Sequence, residues 1–260
     1  MATFLQNFLT AGQDGLHLIA TAVLPVLFPF FVLTSLILNL SNTTKPWLIT
    51  ILAYSSGYPN GARLTQNLYS QGRLTLSAAQ HLSIITSTPS PIFVIATAGT
   101  LFLRDTTLGC VIFICAVIAA IGNGWLWRLI RPNKEPKQKP VATTHTQPPH
   151  FFPAFSDALA SATTAIVNVC GVVLFFYICT RLGNLPPVLA GLLEMTTGVA
   201  ATTNPLLVQF FVTFGGLSVA MQQQIFMQSF QIKLRTYLAY KMTHALLACG
   251  LLTMYLLFLN

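Results

Sequence analysis

The chain has 260 residues, of which 54% are hydrophobic and only 7% are charged, whereas a soluble domain carries about 25% charged residues. So few charges exclude a hydrated globular surface and indicate a protein whose surface faces lipid. The net charge of +8 does not indicate nucleic-acid binding, because the basic residues lie in short runs between apolar stretches, as they do in the cytoplasmic loops of membrane proteins.

Six apolar stretches are long enough to cross a hydrocarbon core of about 30 Å as helices. Pro25 and Pro29 are expected to kink the first of them. The predicted spans are residues 16–40, 83–103, 108–127, 158–180, 205–227 and 238–259.

Two shorter apolar stretches, residues 46–57 and residues 185–199, are predicted to be re-entrant hairpins. As a helix, the first would be about 18 Å long at 1.5 Å per residue, which crosses half a bilayer. It leads into the turn-rich, polar residues 58–63, and the second stretch contains Glu194. Irregular backbone at membrane depth is tolerated only where protein or a water-filled cavity surrounds it.

A basic, proline-rich linker divides the chain nearly in half. Residues 128–153 hold five basic residues and six prolines, so they are expected to be extended or disordered and cytoplasmic. The predicted organisation is therefore a first repeat (1–130), a linker (131–153) and a second repeat (154–260). With the linker in the cytoplasm, ten basic residues including Lys241 are assigned to the cytoplasmic side and two to the other side, which predicts that both termini lie outside.

The two halves resemble each other in order and hydropathy. Asp14 precedes the first span as Asp157 precedes the fourth, and residues 55–57 (Ser-Ser-Gly) correspond to residues 196–198 (Thr-Thr-Gly). Each predicted repeat has an odd number of spans, so the second would enter the membrane from the opposite side. The predicted fold is an all-α membrane protein with about six transmembrane helices plus two re-entrant hairpins in two inverted-topology repeats.

Inverted repeats with broken helices place a substrate site near the membrane midplane, at the repeat interface. Four interruptions of the apolar pattern are candidates for that site, because unwound peptide groups and helix N-termini can bind anions there. The candidate substrate-binding residues are Ser55, Ser56, Gly57, Asn60, Gly61 and Arg63 in the first interruption, Thr88 and Ser90 in the second, Glu194, Thr196, Thr197 and Gly198 in the third, and Gly215, Gly216, Ser218 and Gln222 in the fourth.

Specific roles can be predicted for two charged residues, Arg63 and Glu194. Arg63 could bind a carboxylate in bidentate fashion. A membrane-embedded carboxylate is costly, so Glu194 could pair with Arg63, carry a proton or cation, or contact substrate. The structural alternatives are a loop with a snorkelling arginine for the first interruption, a kink with hydroxyls bonded back to helix carbonyls for the second, a structural ion pair for the third, and close helix packing through small residues for the fourth.

The sequence predicts neither an enzyme nor a metal or cofactor site. The five histidines are scattered, and the five cysteines lie in apolar stretches without a C-x-x-C pair, so we expect no disulfide framework and no zinc site. No H-E-x-x-H, G-x-S-x-G or P-loop pattern is present.

At two of these interruptions the chain resembles a known family. Residues 56–63 (SGYPNGAR), followed by Leu68-Tyr69 and residues 72–74, are similar to the first gate region of the YlbJ-type sporulation integral membrane proteins (stage V sporulation protein V). Their second gate region is similar to residues 191–194 with Thr197-Gly198, followed by residues 214–219 and Gln222. That family belongs to a wider set of proteins with nucleoside-recognition or gate domains.

The resemblance implies translocation of dipicolinic acid, a small aromatic dianion, from the mother cell to the forespore. The expected location is a cell membrane crossed several times, which in a sporulating cell would be the outer forespore membrane. Two other functions stay open: a nucleoside or other small-solute transporter on the same architecture, and a non-transporting membrane scaffold of spore maturation. The expected partners are the solute and the lipid bilayer, and homo-oligomers are possible.

Overall fold

The computed structural model describes residues 2–41, 45–130 and 150–258, and every regular element in these ranges is a helix. The first half contains α1 (Ala2–Leu18), a π-helical turn (Ile19–Val23), α2 (Leu24–Ser41), α3 (Pro46–Ser56), α4 (Asn60–Ser70), α5 (Leu76–Ile85), a π-helix (Ile92–Leu103) and α6 (Thr106–Ile130). The second half contains α7 (Phe151–Leu182), α8 (Pro187–Leu193), α9 (Met195–Ala200), α10 (Pro205–Phe214), α11 (Gly216–Met227), a short 3₁₀ turn (Gln228–Phe230) and α12 (Leu234–Phe258).

Five helical segments in the described ranges are long and apolar enough to cross a membrane, and the protein is an all-α membrane protein. They are Leu24–Ser41, Thr106–Ile130, Phe151–Leu182, Pro205–Phe230 and Leu234–Phe258. The prediction of a sixth continuous span at residues 83–103 is wrong. Helix α5 ends at Ile85 and residues 86–90 are not helical, because Pro89 and Pro91 lack the amide hydrogens that a helix needs.

The first predicted span starts much earlier than hydropathy suggests. Helix α1 begins at Ala2 and continues through the π-helical turn into α2. At the end of that turn, the Leu24 amide donates to the carbonyl of Ile19, five residues earlier. This wider turn lies directly before Pro25.

The ends of the predicted linker are helical. Helix α6 extends to Ile130 and α7 begins at Phe151, so both enter the stretch 128–153 that the prolines and charges predicted to be irregular. Residues 131–149 lie outside the described residues.

The first long helices of the two halves pack antiparallel to each other. Near one end of the pair, the Asn39 side-chain amide donates to the Ala154 carbonyl over 3.2 Å. Near the other end, Arg181 and Asp14 form an exposed ion pair of 3.8 Å. The chain order therefore runs in opposite directions in α1–α2 and in α7.

The last long helices of the two halves, α6 and α12, are also antiparallel. The Asn123 side-chain amide donates to the Tyr240 carbonyl over 3.0 Å, and His244 Nε2 lies 2.8 Å from the Ala116 carbonyl oxygen. Antiparallel pairing of corresponding helices is the arrangement that inverted repeats require, and the repeat itself stays a prediction.

Apolar side chains cover the outside of the bundle, and polar side chains lie inside it. Phe152 is 81% exposed and Trp125 is 67% exposed, whereas Arg63 is 1% exposed and Lys241 is completely buried. Lys241 is therefore not a charge of an exposed loop, and its assignment to the cytoplasmic side stays a prediction. Helix α12 begins at Leu234, so Lys241 lies two turns inside it, within the bundle.

Two hydrophobic clusters form the core of the described residues. One contains Phe31, Phe226 and Tyr237 and joins α2, α11 and α12. The other contains Tyr58 and Phe211 and lies among the π-helix, α6, α10 and α12. The second cluster includes Tyr58 of the first interruption and Met195 of the third, so it helps to position the candidate site.

Candidate functional site

All four predicted interruptions are breaks in helical structure. The first break is residues 57–59 between α3 and α4, and the second is residues 86–90 between α5 and the π-helix. The third is Glu194 between α8 and α9, and the fourth is Gly215 between α10 and α11.

The first and second breaks pack directly against each other. Gly57 has φ 74° and ψ −179°, a conformation that is essentially restricted to glycine. A Cβ atom at Gly57 would collide with the backbone and side chain of Ser90. The Tyr58 amide donates to the Thr88 carbonyl over 2.8 Å, so backbone hydrogen bonding joins the two breaks.

The third and fourth breaks form a similar pair. Helices α8 and α9 make a tight hairpin in which Gly191 and Gly198 touch through their backbones. Gly216 has φ 72°, and a Cβ atom there would lie 3.1 Å from the carbonyl oxygens of Gly191 and Leu193. The start of α11 is therefore pressed against the end of α8, and the small residues permit that approach.

Side chains connect these two pairs of breaks. The Tyr58 hydroxyl donates to the Val212 carbonyl over 3.1 Å and contacts the sulfur of Met195, next to the third break. From α11, the Gln223 side-chain amide donates to Ser87 Oγ over 3.0 Å, in the second break. The structure thus brings the interruptions of both halves together.

Most polar side chains of the first break are used within the protein. The Ser55 and Ser56 hydroxyls donate back to the Leu52 carbonyl of their own helix over 2.9 and 2.8 Å. The Asn60 amide donates to Thr34 Oγ1 over 2.9 Å and to Ser56 Oγ over 2.7 Å.

Arg63 is buried against three elements. Its Nε donates to Asn60 Oδ1 over 2.9 Å, Nη1 to Ser161 Oγ over 3.2 Å and Nη2 to the Phe31 carbonyl over 2.8 Å. Its guanidinium carbon lies 4.8 Å from the centroid of the Phe31 ring, within the range of a cation–π contact. In the described residues, Arg63 makes no ion pair with Glu194, so the pairing that the sequence suggested is wrong.

Glu194 caps the short helix α9. One carboxylate oxygen accepts from the Thr196 amide over 3.1 Å, and the other accepts from the amide and hydroxyl of Thr197 over 2.7 and 2.8 Å. The residue is 4% exposed. Donors at a helix N-terminus stabilise a negative charge, which explains how an acid with no basic partner among the described residues is held here.

We expect Glu194→Ala to lower the free energy of unfolding by about 1–2 kcal/mol, because the amides of α9 lose their cap. Glu194→Gln keeps one side-chain oxygen and should lose less. Thermal unfolding of the purified protein in detergent measures both. If Glu194→Gln is as unstable as Glu194→Ala, the negative charge of Glu194 contributes more to stability than the hydrogen-bonding shape of its side chain. Loss of transport in a stable Glu194→Gln variant would instead indicate the predicted proton- or cation-carrying role.

The remaining predicted residues differ in how their polar atoms are used. The Phe93 amide donates to Ser90 Oγ over 3.2 Å, and Gln222 Nε2 donates to Ser218 Oγ over 3.3 Å. The hydroxyl of Thr88 is buried without a hydrogen-bond partner. The Thr88 hydroxyl therefore keeps its hydrogen-bonding capacity unused.

Sequence reasoning missed a polar cluster where the two pairs of breaks meet. We call it the central cluster and define it as Tyr58, Ser87, Gln223, Tyr237 and Lys241. Ser87 contacts several members of this cluster. The Ser87 hydroxyl lies 2.8 Å from the Tyr237 hydroxyl, and the Ser87 carbonyl accepts from Lys241 Nζ over 2.8 Å. Lys241 lies inside the predicted span 238–259, and a lone lysine in an apolar span is a signal that could have found it.

A groove of about 510 Å³ opens elsewhere, between α8 and helices α10 to α12. It contains no residue of the central cluster, and its lining is entirely apolar. The lining residues are Leu185, Leu189, Leu192, Leu193, Phe214, Leu217, Leu238 and Met242. Such a surface suits lipid tails, and the polar chemistry of the molecule lies in the central cluster.

Comparison with known proteins gives one informative similarity. The chain is similar to the sporulation integral membrane protein YlbJ of Bacillus subtilis (strain 168), with 22% identity over 82% of this chain and 68% of YlbJ. No protein-family model matches the chain, and no solved structure matches it. The similarity supports the resemblance to YlbJ-type proteins, while the stage V assignment and the relation to gate-domain proteins stay predictions.

Proposed function

We propose that this protein is a membrane transporter of a small polar or anionic solute. In a sporulating cell the solute would be dipicolinate, moved into the forespore across the outer forespore membrane. One observation carries the proposal: helix breaks from both halves meet inside a membrane protein through buried polar side chains, with Gln223 of α11 bonded to Ser87 of the second break.

Broken helices at membrane depth need a reason, because unpaired peptide groups cost several kcal/mol each in a hydrocarbon environment. Transporters with inverted repeats use such breaks to form a solute site between the repeats. The antiparallel pairing of α1–α2 with α7, and of α6 with α12, supports this architecture. A scaffold protein could be held together by apolar packing and has no need of these breaks.

The choice of solute rests on chemistry and on similarity. Buried hydroxyls, an amide and the Lys241 ammonium at the central cluster suit a small anion with several acceptor oxygens. Similarity to an integral membrane protein of sporulation supports dipicolinate as that anion. The solute would reach the cluster when the paired breaks move apart.

The test is solute uptake by proteoliposomes that contain the purified full-length chain. We expect labelled dipicolinate to enter severalfold faster than into liposomes without protein, while labelled uridine enters at the same rate as into protein-free liposomes. Spores that lack the protein are expected to contain less dipicolinate.

Two results would contradict the proposal in different ways. Uptake of uridine in preference to dipicolinate would favour the nucleoside transporter. If folded protein moved neither solute and spores without it kept their dipicolinate, the scaffold function would be favoured.

A further inference from the structure

Lys241 has a completely buried basic side chain in helix α12, two turns from the start of that helix. Lysine is almost never fully buried without a charged partner. Its Nζ donates to the Ser87 carbonyl over 2.8 Å and lies 5.6 Å from the centroid of the Tyr58 ring. A neutral carbonyl and an aromatic face offset only part of the cost of removing an ammonium from water.

No acid of the described residues compensates this charge. The described ranges contain Asp14, Asp105, Asp157 and Glu194, and none of them has a carboxylate oxygen within 4.0 Å of Lys241 Nζ. The Glu194 carboxylate is already bonded to the N-terminus of α9. Within this part of the chain, the ammonium therefore lacks a counter-ion.

The groups around Lys241 are of the kinds that bind carboxylates. The Ser87 and Tyr237 hydroxyls and the Gln223 amide form one hydrogen-bonded chain. Two further polar atoms are buried without a hydrogen-bond partner. They are Thr88 Oγ1, on the residue that follows Ser87, and Gln223 Oε1, on a member of that hydrogen-bonded chain. Such a set has unused hydrogen-bonding capacity next to a lysine that has no acidic partner among the described residues.

We propose that Lys241 is the residue that binds the anionic group of the transported solute, with Ser87, Tyr237 and Gln223 bonded to the same solute. This inference rests on the proposed transport function and deepens it, because it restricts the solute to anions, carboxylates in particular. It also moves the anion-binding role from Arg63 to Lys241. All three guanidinium nitrogens of Arg63 are already bonded to protein, whereas Lys241 has one hydrogen-bond partner.

The solute is tested first on the wild-type chain. Binding to the purified full-length protein in detergent is measured by calorimetry with three probes: dipicolinate, its uncharged analogue pyridine-2,6-dicarboxamide, and uridine. We expect binding of dipicolinate and at least about tenfold weaker binding of the other two, a difference of about 1.4 kcal/mol or more. Equal or tighter binding of the dicarboxamide or of uridine would overturn the inference without any variant.

The lysine is tested with Lys241→Met, which removes the charge and keeps most of the volume, and with Lys241→Arg, which keeps the charge. Lys233→Met is the matched control, because Lys233 is exposed. We expect Lys241→Met to bind dipicolinate at least about tenfold more weakly while its unfolding temperature stays the same or rises, since an uncompensated buried charge is removed. Lys241→Arg should retain part of the binding and Lys233→Met all of it.

The possible failures can be told apart. If wild-type protein binds and transports none of the three probes, the proposed function fails and the inference falls with it. If dipicolinate binds to Lys241→Met within twofold of wild type, only the role of Lys241 is wrong. An unfolding temperature that falls in Lys241→Met with unchanged affinity would make the lysine a structural residue. If Lys241→Met does not fold, two other results test the inference. They are the preference of the wild type for dipicolinate over the uncharged dicarboxamide, and the binding of dipicolinate that Lys241→Arg retains.

Discussion

Replacing Gly57 with alanine is expected to lower the free energy of unfolding by about 3 kcal/mol or more. The backbone at Gly57 has φ 74° and ψ −179°, which a residue with a Cβ atom adopts only at a cost. The added methyl would also collide with Ser90 and separate the first break from the second. Thermal unfolding in detergent and the yield of monodisperse protein measure the effect.

Gly122→Ala is the matched control for this substitution. Gly122 lies in α6, and a Cβ atom there meets nothing within 4 Å. Alanine in a helix interior is favoured over glycine by about 0.5–1 kcal/mol, so this variant should be as stable as wild type or slightly more stable. Equal stability of Gly57→Ala and Gly122→Ala would show that the close contact between the first two breaks is not required.

Features that depend on local sequence were predicted well. The apolar stretches gave the membrane class and most of the long helices, because a span needs a run of apolar residues whatever surrounds it. The break at Gly57 and the break at Gly215 were found because glycine permits positive φ. Pro89 and Pro91 marked the second break for a related reason, since proline has no amide hydrogen.

Features that depend on tertiary packing were missed or misassigned. Whether Arg63 faces a solute or the Phe31 carbonyl is decided by how α2 packs on α4, which no local pattern contains. Lys241 was counted among the cytoplasmic charges although it falls inside the predicted span 238–259, and its burial depends on how α12 packs in the bundle. Glu194 was recognised as unusual, but its role as the cap of α9 follows from a break whose position was known only within a few residues.

The start of the first helix was missed for a different reason. Residues 2–15 carry polar side chains such as Gln6, Gln13 and Asp14, which lower the hydropathy of that segment below that of a span. In the structure this segment is helix α1, and Asp14 pairs with Arg181 of α7. A helix with one polar side needs no continuous apolar run.

Arg63→Ala should be the most destabilising substitution of a charged residue, with a loss of about 3–5 kcal/mol in the free energy of unfolding. Removing the guanidinium leaves Asn60 Oδ1 without its donor and takes one donor from the Phe31 carbonyl, and a buried polar atom without a partner is costly. Arg235→Ala is the control, because Arg235 is exposed and its loss should change stability little.

Solute affinity of the folded fraction then separates the two roles that Arg63 could have. If Arg63 joins α2, α4 and α7 and does nothing else, folded Arg63→Ala protein should bind dipicolinate with wild-type affinity although less of it survives purification. If Arg63 binds a carboxylate of the solute, as the sequence alone suggests, affinity must fall in protein that is still folded. The three hydrogen bonds of its guanidinium to protein favour the first result, because they occupy three of its five N–H donors and hold the buried group in place.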